Sequence, residues 1–297
     1  MVFFQNYHPM TPTSHDVHDV PDVQEAPAAA ERRARVYVLP GDPRSGRSQL
    51  QARTLAEHLS LTVIDDERAV PEGDLVLRCL RTGLELASPG ESRHGVRADF
   101  ADLDLRPGSR SLSRRQPLPR ALGRDSRTVL DATLGLGRDC VLIAAFGYTV
   151  IACERMPVVA ALVDDALRHP NCPVNAEIRA RITLDPRDAR EVISQTQHGL
   201  PALPALHASH AKHSIDVVYI DPMFPPKKKA SALPKKRIRI LRSLVGDDDD
   251  AAALLETARA HVRRVVVKRA DDAPELAPTP TMSFKGKSTR YDVYIRA

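Results

Sequence analysis

The hydrophobic rhythm of the chain changes twice along its length. Residues 1–34 show no periodicity and are rich in Pro, His, Asp and Ala, which predicts a disordered tail. From 35 to 105 short apolar runs mix with helical spacing, the mark of a small N-terminal α/β unit. RVYVLP, LTVID, DLVLRCL and LELAS read as strands, and SQLQARTLAEHLSL as a helix with Leu50, Leu55 and Leu59 on its apolar face. Residues 106–127 are a Pro-, Arg- and Ser-rich connector, read as partly loop. From 128 to 297 strands and helices alternate. TVLDA, TVIACE, RITLD, VVYID and RVVVKR are apolar strands, separated by helical stretches such as PVVAALVDDALRH with Pro157 in its first turn. Such alternation predicts a mostly parallel sheet covered on both faces, and TMSFKGKSTRYDVYIR predicts a closing antiparallel hairpin. No repeat of 20–50 residues is present.

Composition narrows the classes. With 297 residues and 42% hydrophobic content a substantial core is available. No apolar run is long enough to span a membrane. MVFFQNYHPM lacks a basic n-region and a long apolar stretch, so no secretory signal is expected and the chain reads as cytoplasmic. The four cysteines (Cys79, Cys140, Cys153, Cys172) have neither disulfide-framework nor zinc spacing and are expected to be reduced thiols. No metal site is expected. His8, His15 and His18 in the tail and His198, His207, His210 and His213 in a Pro/Ala-rich insertion match no ligand set. Aromatic residues are only 4%, leaving few platforms for stacking single-stranded nucleic acid.

The formal charge of +5 hides a sharp distribution. Residues 106–127 hold seven arginines and one acid, and residues 227–242 hold eight cations and no acid, so the remainder of the chain is net −9. Two basic strips in an otherwise acidic protein point to phosphate binding. The second strip, beginning at Lys227, Lys228 and Lys229 and continuing through Lys235, Lys236 and Arg237, is the candidate nucleic-acid contact.

Four motifs carry candidate chemistry. Asp131-Ala132-Thr133-Leu134-Gly135-Leu136-Gly137-Arg138-Asp139 follows a strand and opens a helix, where glycines let the backbone approach a ligand. A G-x-G followed by Arg-Asp fits a dinucleotide fingerprint poorly, and Asp139 opposes a diphosphate there, so a cationic sulfonium or ammonium ligand suits it better. Glu154 ends the next strand, placed to accept from ribose hydroxyls or to cap the helix beginning near Met156. Asp188 follows the third strand, placed either to accept from an adenine amino group or to cap a helix running to about Ser194. The fourth motif, Asp221-Pro222-Met223-Phe224-Pro225-Pro226, directly follows VVYI. It resembles the (D/N/S)-P-P-(Y/F) signature of methyltransferases acting on planar amino groups. Asp221 and the Pro222 carbonyl would accept the two N–H bonds of an exocyclic amine and stabilise charge developing on nitrogen, while Phe224 stacks on the base. Asp247–Asp250 reads as an acidic helix start.

Together, VLDATLGLGRD (129–139), ERMPVVAALVDDAL (154–167), VVYIDPMFPPKKKASALPKKRIRILRSLVG (217–246), RVVVKRADDAPEL (264–276) and STRYDVYI (288–295) resemble the RsmJ family of 16S rRNA methyltransferases. That resemblance implies a class I, Rossmann-like methyltransferase sheet over 128–297. It implies S-adenosylmethionine as cofactor and methylation of the N2 amine of a guanosine, conventionally guanosine 1516, in 16S rRNA of the 30S subunit. It further implies that Arg138-Asp139, Glu154-Arg155 and Asp221 line the donor site, with Asp188-Ala189 standing where the family usually has Ser-Ser. Alternative readings are an amino methyltransferase acting on DNA or a protein glutamine, and an RNA-binding factor without catalysis.

Overall fold

The computed structural model describes residues 33–91, 95–195, 214–222, 236–245 and 250–296. The expected tail lies outside these up to residue 32, as do the histidine-bearing insertion, Asp247–Asp249, Phe224, Lys227–Lys229 and Lys235. The last two residues assigned to the tail belong to the fold: Ala34 is buried and its N–H donates to the Ser243 carbonyl at 2.9 Å.

The N-terminal strands form a four-stranded sheet in the order β2-β1-β3-β4, from β1 (Val36–Pro40), β2 (Thr62–Val63), β3 (Leu75–Leu80) and β4 (Gly83–Ala87). Helix α1 (Gly46–Leu59) is capped by Ser45, whose side chain accepts from the Ser48 N–H. Its buried stripe is Ala52 and Ala56, with Leu55 and Leu59 packed beside them, whereas Leu50 is 66% exposed. Leu50 was expected on the apolar face. At about 100° per residue it points nearly opposite Ala52, so it cannot share that stripe.

The connector carries more structure than its composition foretold. A 3-10 turn at Arg110–Leu112 leads into α2 (Pro117–Leu122), with proline in its first turn, and α2 buries Leu118, Ala121 and Leu122 against the large sheet. Three of its arginines are engaged with the protein itself. Arg106 donates to the Asp104 carboxylate at 2.8 Å. Arg114 donates to the Phe146 carbonyl and the Tyr148 hydroxyl, and Arg120 lies 4.8 Å over the Phe284 ring. The strip is therefore only partly available to phosphates.

The large sheet has seven strands: β5 (Thr128–Asp131), β6 (Thr149–Cys153), β7 (Ile182–Asp185), β8 (Val217–Ile220), β9 (Arg264–Ala270), β10 (Met282–Lys285) and β11 (Thr289–Ile295). Their order is β10-β11-β9-β8-β5-β6-β7. The five strands β7 to β9 are parallel, and the last hairpin is antiparallel, as the pattern predicted. Alternating residues feed two cores. Val129, Val217, Tyr219 and Val266 pack beneath α3 (Arg138–Ala145) and α2, whereas Leu130, Val218, Ile220 and Val267 pack beneath α6 (Ala189–Gln195) and α8 (Ala251–His261). Helix α5 (Ala176–Ala180), a five-residue turn before β7, was not foreseen. A third core joins the small sheet to α4 (Pro157–Arg168) and α7 (Lys236–Val245) through Val158, Leu162, Ile240 and Leu244. All four cysteines are free, three of them buried. Among the described residues no helix is long and apolar enough to cross a membrane, and no cluster of metal-binding side chains occurs.

Candidate active site

Strand β5 is flanked by β6 on one side and β8 on the other, so the chain reverses its direction of build-up there. Such a switch point opens a crevice at the C-terminal ends of the strands. A cleft of about 760 Å³, counted with its open mouth, occupies this place. Its walls include Thr133 and Gly135 after β5, Glu154 and Arg155 after β6, Asp188, Ala189 and Arg190 after β7, and Asp221 and Pro222 after β8. Leu241 and Val245 of α7 and Leu254 of α8 add an apolar side.

Hydrogen bonds stitch these strand ends together. The Glu154 carboxylate accepts from the Gly135 N–H at 3.1 Å and from the Met156 N–H at 2.9 Å. It thus ties the glycine loop to the start of α4 while lying on the cleft wall. Of the two roles open in the sequence, the contact with the start of α4 is made at the Met156 N–H, ahead of the helix's first turn, and the carboxylate lies on the cleft wall where a ribose acceptor was expected. Gly135 and Gly137 have φ of +53° and +76°. A Cβ on Gly137 would lie 3.0 Å from Val163 Cγ1, so this glycine serves the close approach of α4 to α3 rather than a ligand.

Asp131 opens the glycine motif read as the cofactor loop. It is 1% exposed and does not line the cleft; it accepts from the Thr133 N–H at 3.2 Å and shapes the loop from beneath. Burial, with the negative charges of Asp139, Asp221 and Glu154 nearby, pushes its carboxyl up to about 8. Arg138 was expected at the cofactor. Its guanidinium instead pairs with Asp102, outside the lining. Asp139 also lies off the lining, its carboxylate held by Tyr219 and Lys268. Asp188 accepts from both the N–H and the guanidinium of Arg190, and this pairing holds its carboxyl below the usual range. That geometry begins α6, while Asp188 and the buried Ala189 remain cleft walls. Arg155 donates to Asp250 at 2.6 Å, and Arg190 reaches the same carboxylate at 3.1 Å. Asp250, read as an acidic helix start, makes no side-chain cap and is committed to these arginines.

At the far wall, the Asp221 N–H donates to Thr133 Oγ1 at 2.6 Å. Lys268 Nζ donates to Asp221 Oδ2 at 2.9 Å and to Asp139 Oδ2 at 2.7 Å, and the Tyr219 hydroxyl donates to the same Asp139 oxygen at 2.5 Å. Burial raises the Asp221 carboxyl to about 6, against the lowering effect of Lys268. Burial opposes the Lys268 charge, but the two carboxylates outweigh it and raise its pKa. Thr133 and Lys268 were not singled out in the sequence. The signal for Lys268 was a cation two residues after the buried Val266, on the same face of RVVVKRA.

A seven-stranded sheet of this order with such a cleft defines a class I methyltransferase. The SAM-dependent methyltransferase family model matches residues 55–296. A protein of Marinobacter nauticus named ribosomal RNA small subunit methyltransferase J is 38% identical over 83% of this chain and 87% of its own length. One of that name from Pseudomonas aeruginosa is 39% identical over 82% and 89%. A third, from Pectobacterium atrosepticum, is 48% identical over a shorter span, 56% of this chain and 62% of that protein. The crystal structure of a SAM-dependent methyltransferase from Neisseria gonorrhoeae matches with a TM-score of 0.60 at 30% identity, over 88% of this chain and 95% of that one. The chain belongs to the ribosomal RNA small subunit methyltransferase J family.

S-adenosylmethionine is the cofactor of this class, and the cleft suits it. Ala132, Ala189, Val159 and Leu254 give the cleft an apolar side, and the carboxylates of Glu154, Asp188 and Asp221 lie on its wall.

Proposed function

We propose that this chain methylates the exocyclic N2 amine of a guanosine in 16S rRNA of the small ribosomal subunit, at guanosine 1516. The bound cofactor supplies an electrophilic methyl group. The protein's part is to present the amine and exclude competing geometry. The Asp221 carboxylate and the Pro222 carbonyl accept the two amine N–H bonds, which localises the nitrogen lone pair and stabilises positive charge as it develops. Phe224 stacks on the base and holds it in line, and Glu154 fixes the ribose of the donor. Lys227, Lys228, Lys229, Lys235, Lys236 and Arg237 follow the Asp-Pro loop in sequence and take up RNA phosphates.

One observation carries this reading: Asp221 and Pro222 border the same cleft as Glu154, so amine acceptor and donor site share one cavity. The names of the relatives support the rRNA target. The eight-cation run supports nucleic acid over a protein glutamine as substrate. Incubating the protein with radiolabelled donor and, in parallel, 30S subunits, naked DNA and a protein extract tests it. Label is expected in 16S rRNA alone; label in DNA or protein overturns the assignment.

A further inference from the structure

Strand β9 holds a charged group that the proposed reaction has not yet used. Ile220 pairs with Val267 in parallel register, so Asp221, just past the end of β8, lies beside Lys268, which is still within β9 and pairs with Tyr291 of β11. Lys268 shares its sheet face with Val266, facing α3, and there its ammonium reaches both Asp221 and Asp139. We infer that Lys268 is a positioning residue for methyl transfer: by bridging Asp139 and Asp221 it keeps the Asp221 carboxylate ionised and fixed at the cleft wall, ready to accept an amine N–H. The inference rests on Asp221 being the amine acceptor proposed above.

The electrostatics require such a device. Asp221 is faced by Asp139 from α3, Asp131 from β5, the Tyr219 hydroxyl of β8, Tyr291 of β11 and Lys268 of β9. Three carboxyl groups close together disfavour one another's charge, and partial burial adds to the effect. A protonated Asp221 would present an O–H donor in place of an acceptor. Among the described residues, Lys268 is the cation that bonds both carboxylates of the cleft side. Asp139 in turn holds Lys268 in place, because its Oδ2 accepts from Lys268 and Tyr219 together. Only one Asp221 oxygen is given to Lys268, which leaves acceptor capacity for substrate.

The test is a carboxyl-¹³C NMR titration of the donor-free, full-length protein, with the Asp221 signal assigned through Asp221→Asn. The native carboxyl is expected to titrate at about 6. In Lys268→Met it should move up by about 1 to 3 pH units, the usual effect of losing an adjacent opposite charge. Lys268→Arg should leave it near the native position, and Asp139→Asn should move it down. The kcat of Lys268→Met on 30S subunits should then recover as pH rises, with donor Kd changed less than roughly threefold, well under the tenfold that 1.4 kcal/mol represents. If Lys268→Met does not fold, Lys268→Gln, which keeps a hydrogen-bond donor without the charge, replaces it. An unmoved Asp221 titration, or a kcat lowered equally at every pH, overturns the inference. Failure to find a methylated guanosine would instead overturn the substrate reading and leave the titration result standing.

Discussion

The backbone N–H of Asp221 donates to Oγ1 of Thr133 at 2.6 Å, joining two loops 88 residues apart in the chain. One loop carries the glycines at the cofactor cleft and the other the Asp-Pro pair. Thr133→Val keeps the shape and removes the acceptor. Leaving that N–H unpaired costs about 1–3 kcal/mol if the site stays dry. A small shift of the loop should lower kcat by roughly 10- to 100-fold, because in-line geometry is steep in distance. Donor affinity, read by calorimetry, should change little.

Glu154 accepts two backbone N–H bonds while facing the cleft. Glu154→Ala removes the ribose acceptor and frees the Gly135 and Met156 amides together. Charge-assisted hydrogen bonds contribute about 1.5–3 kcal/mol, so donor Kd should rise by roughly 10- to 100-fold. Glu154→Gln retains acceptor oxygen but loses the charge, and should fall between the two in the same titration.

Asp131 makes stability depend on pH. Its folded pKa, about 8, lies above the ordinary carboxylate value of 3.8, so the folded state binds the extra proton. The contribution is fully present below the unfolded pKa and is lost as pH rises through about 8. Asp131→Asn keeps an acceptor for the Thr133 N–H without the titrating charge. Thermal melts from pH 5 to 9 should show a native Tm that falls toward the alkaline end and a flatter curve for the variant. A gain on the order of a few kcal/mol is expected at the upper pH, since each pKa unit represents about 1.4 kcal/mol.

Gly137 combines φ of +76° with a 3.0 Å approach to Val163. Gly137→Ala should destabilise by about 1–3 kcal/mol through backbone strain and overpacking together. Val163→Ala in the same chain should return part of the lost Tm, because it vacates the space the new methyl needs.

Strand ends were legible because continuous apolar runs such as VVYI and TVIAC stop at charged residues, Asp221 and Glu154, which marks them as strand-end groups. The second half of each interaction was not legible. Lys268 meets Asp139 and Asp221 across 129 and 47 residues, and Arg155 meets Asp250 across 95, distances that no local pattern encodes. Arg138 and Asp131 sit in the right motif yet point elsewhere, one to Asp102 and one beneath the loop. Helix α2 was hidden because Pro117 and Pro119 suggest a loop, although proline in a first turn is compatible with helix. Leu50 shows the reverse error, an apolar residue counted by type when its angle around the helix faces it to solvent.

The central claim is a chemical one, that Asp221 presents a guanine amine to the methyl donor. Its most direct test is nucleoside mapping by mass spectrometry of 16S rRNA from cells lacking this protein, restored with either the native chain or Asp221→Ala. The native chain should restore a single N2-methylguanosine at guanosine 1516. Asp221→Ala should restore none while its purified protein still binds the donor. A methyl group on another atom or nucleoside, or full modification by Asp221→Ala, would contradict the account.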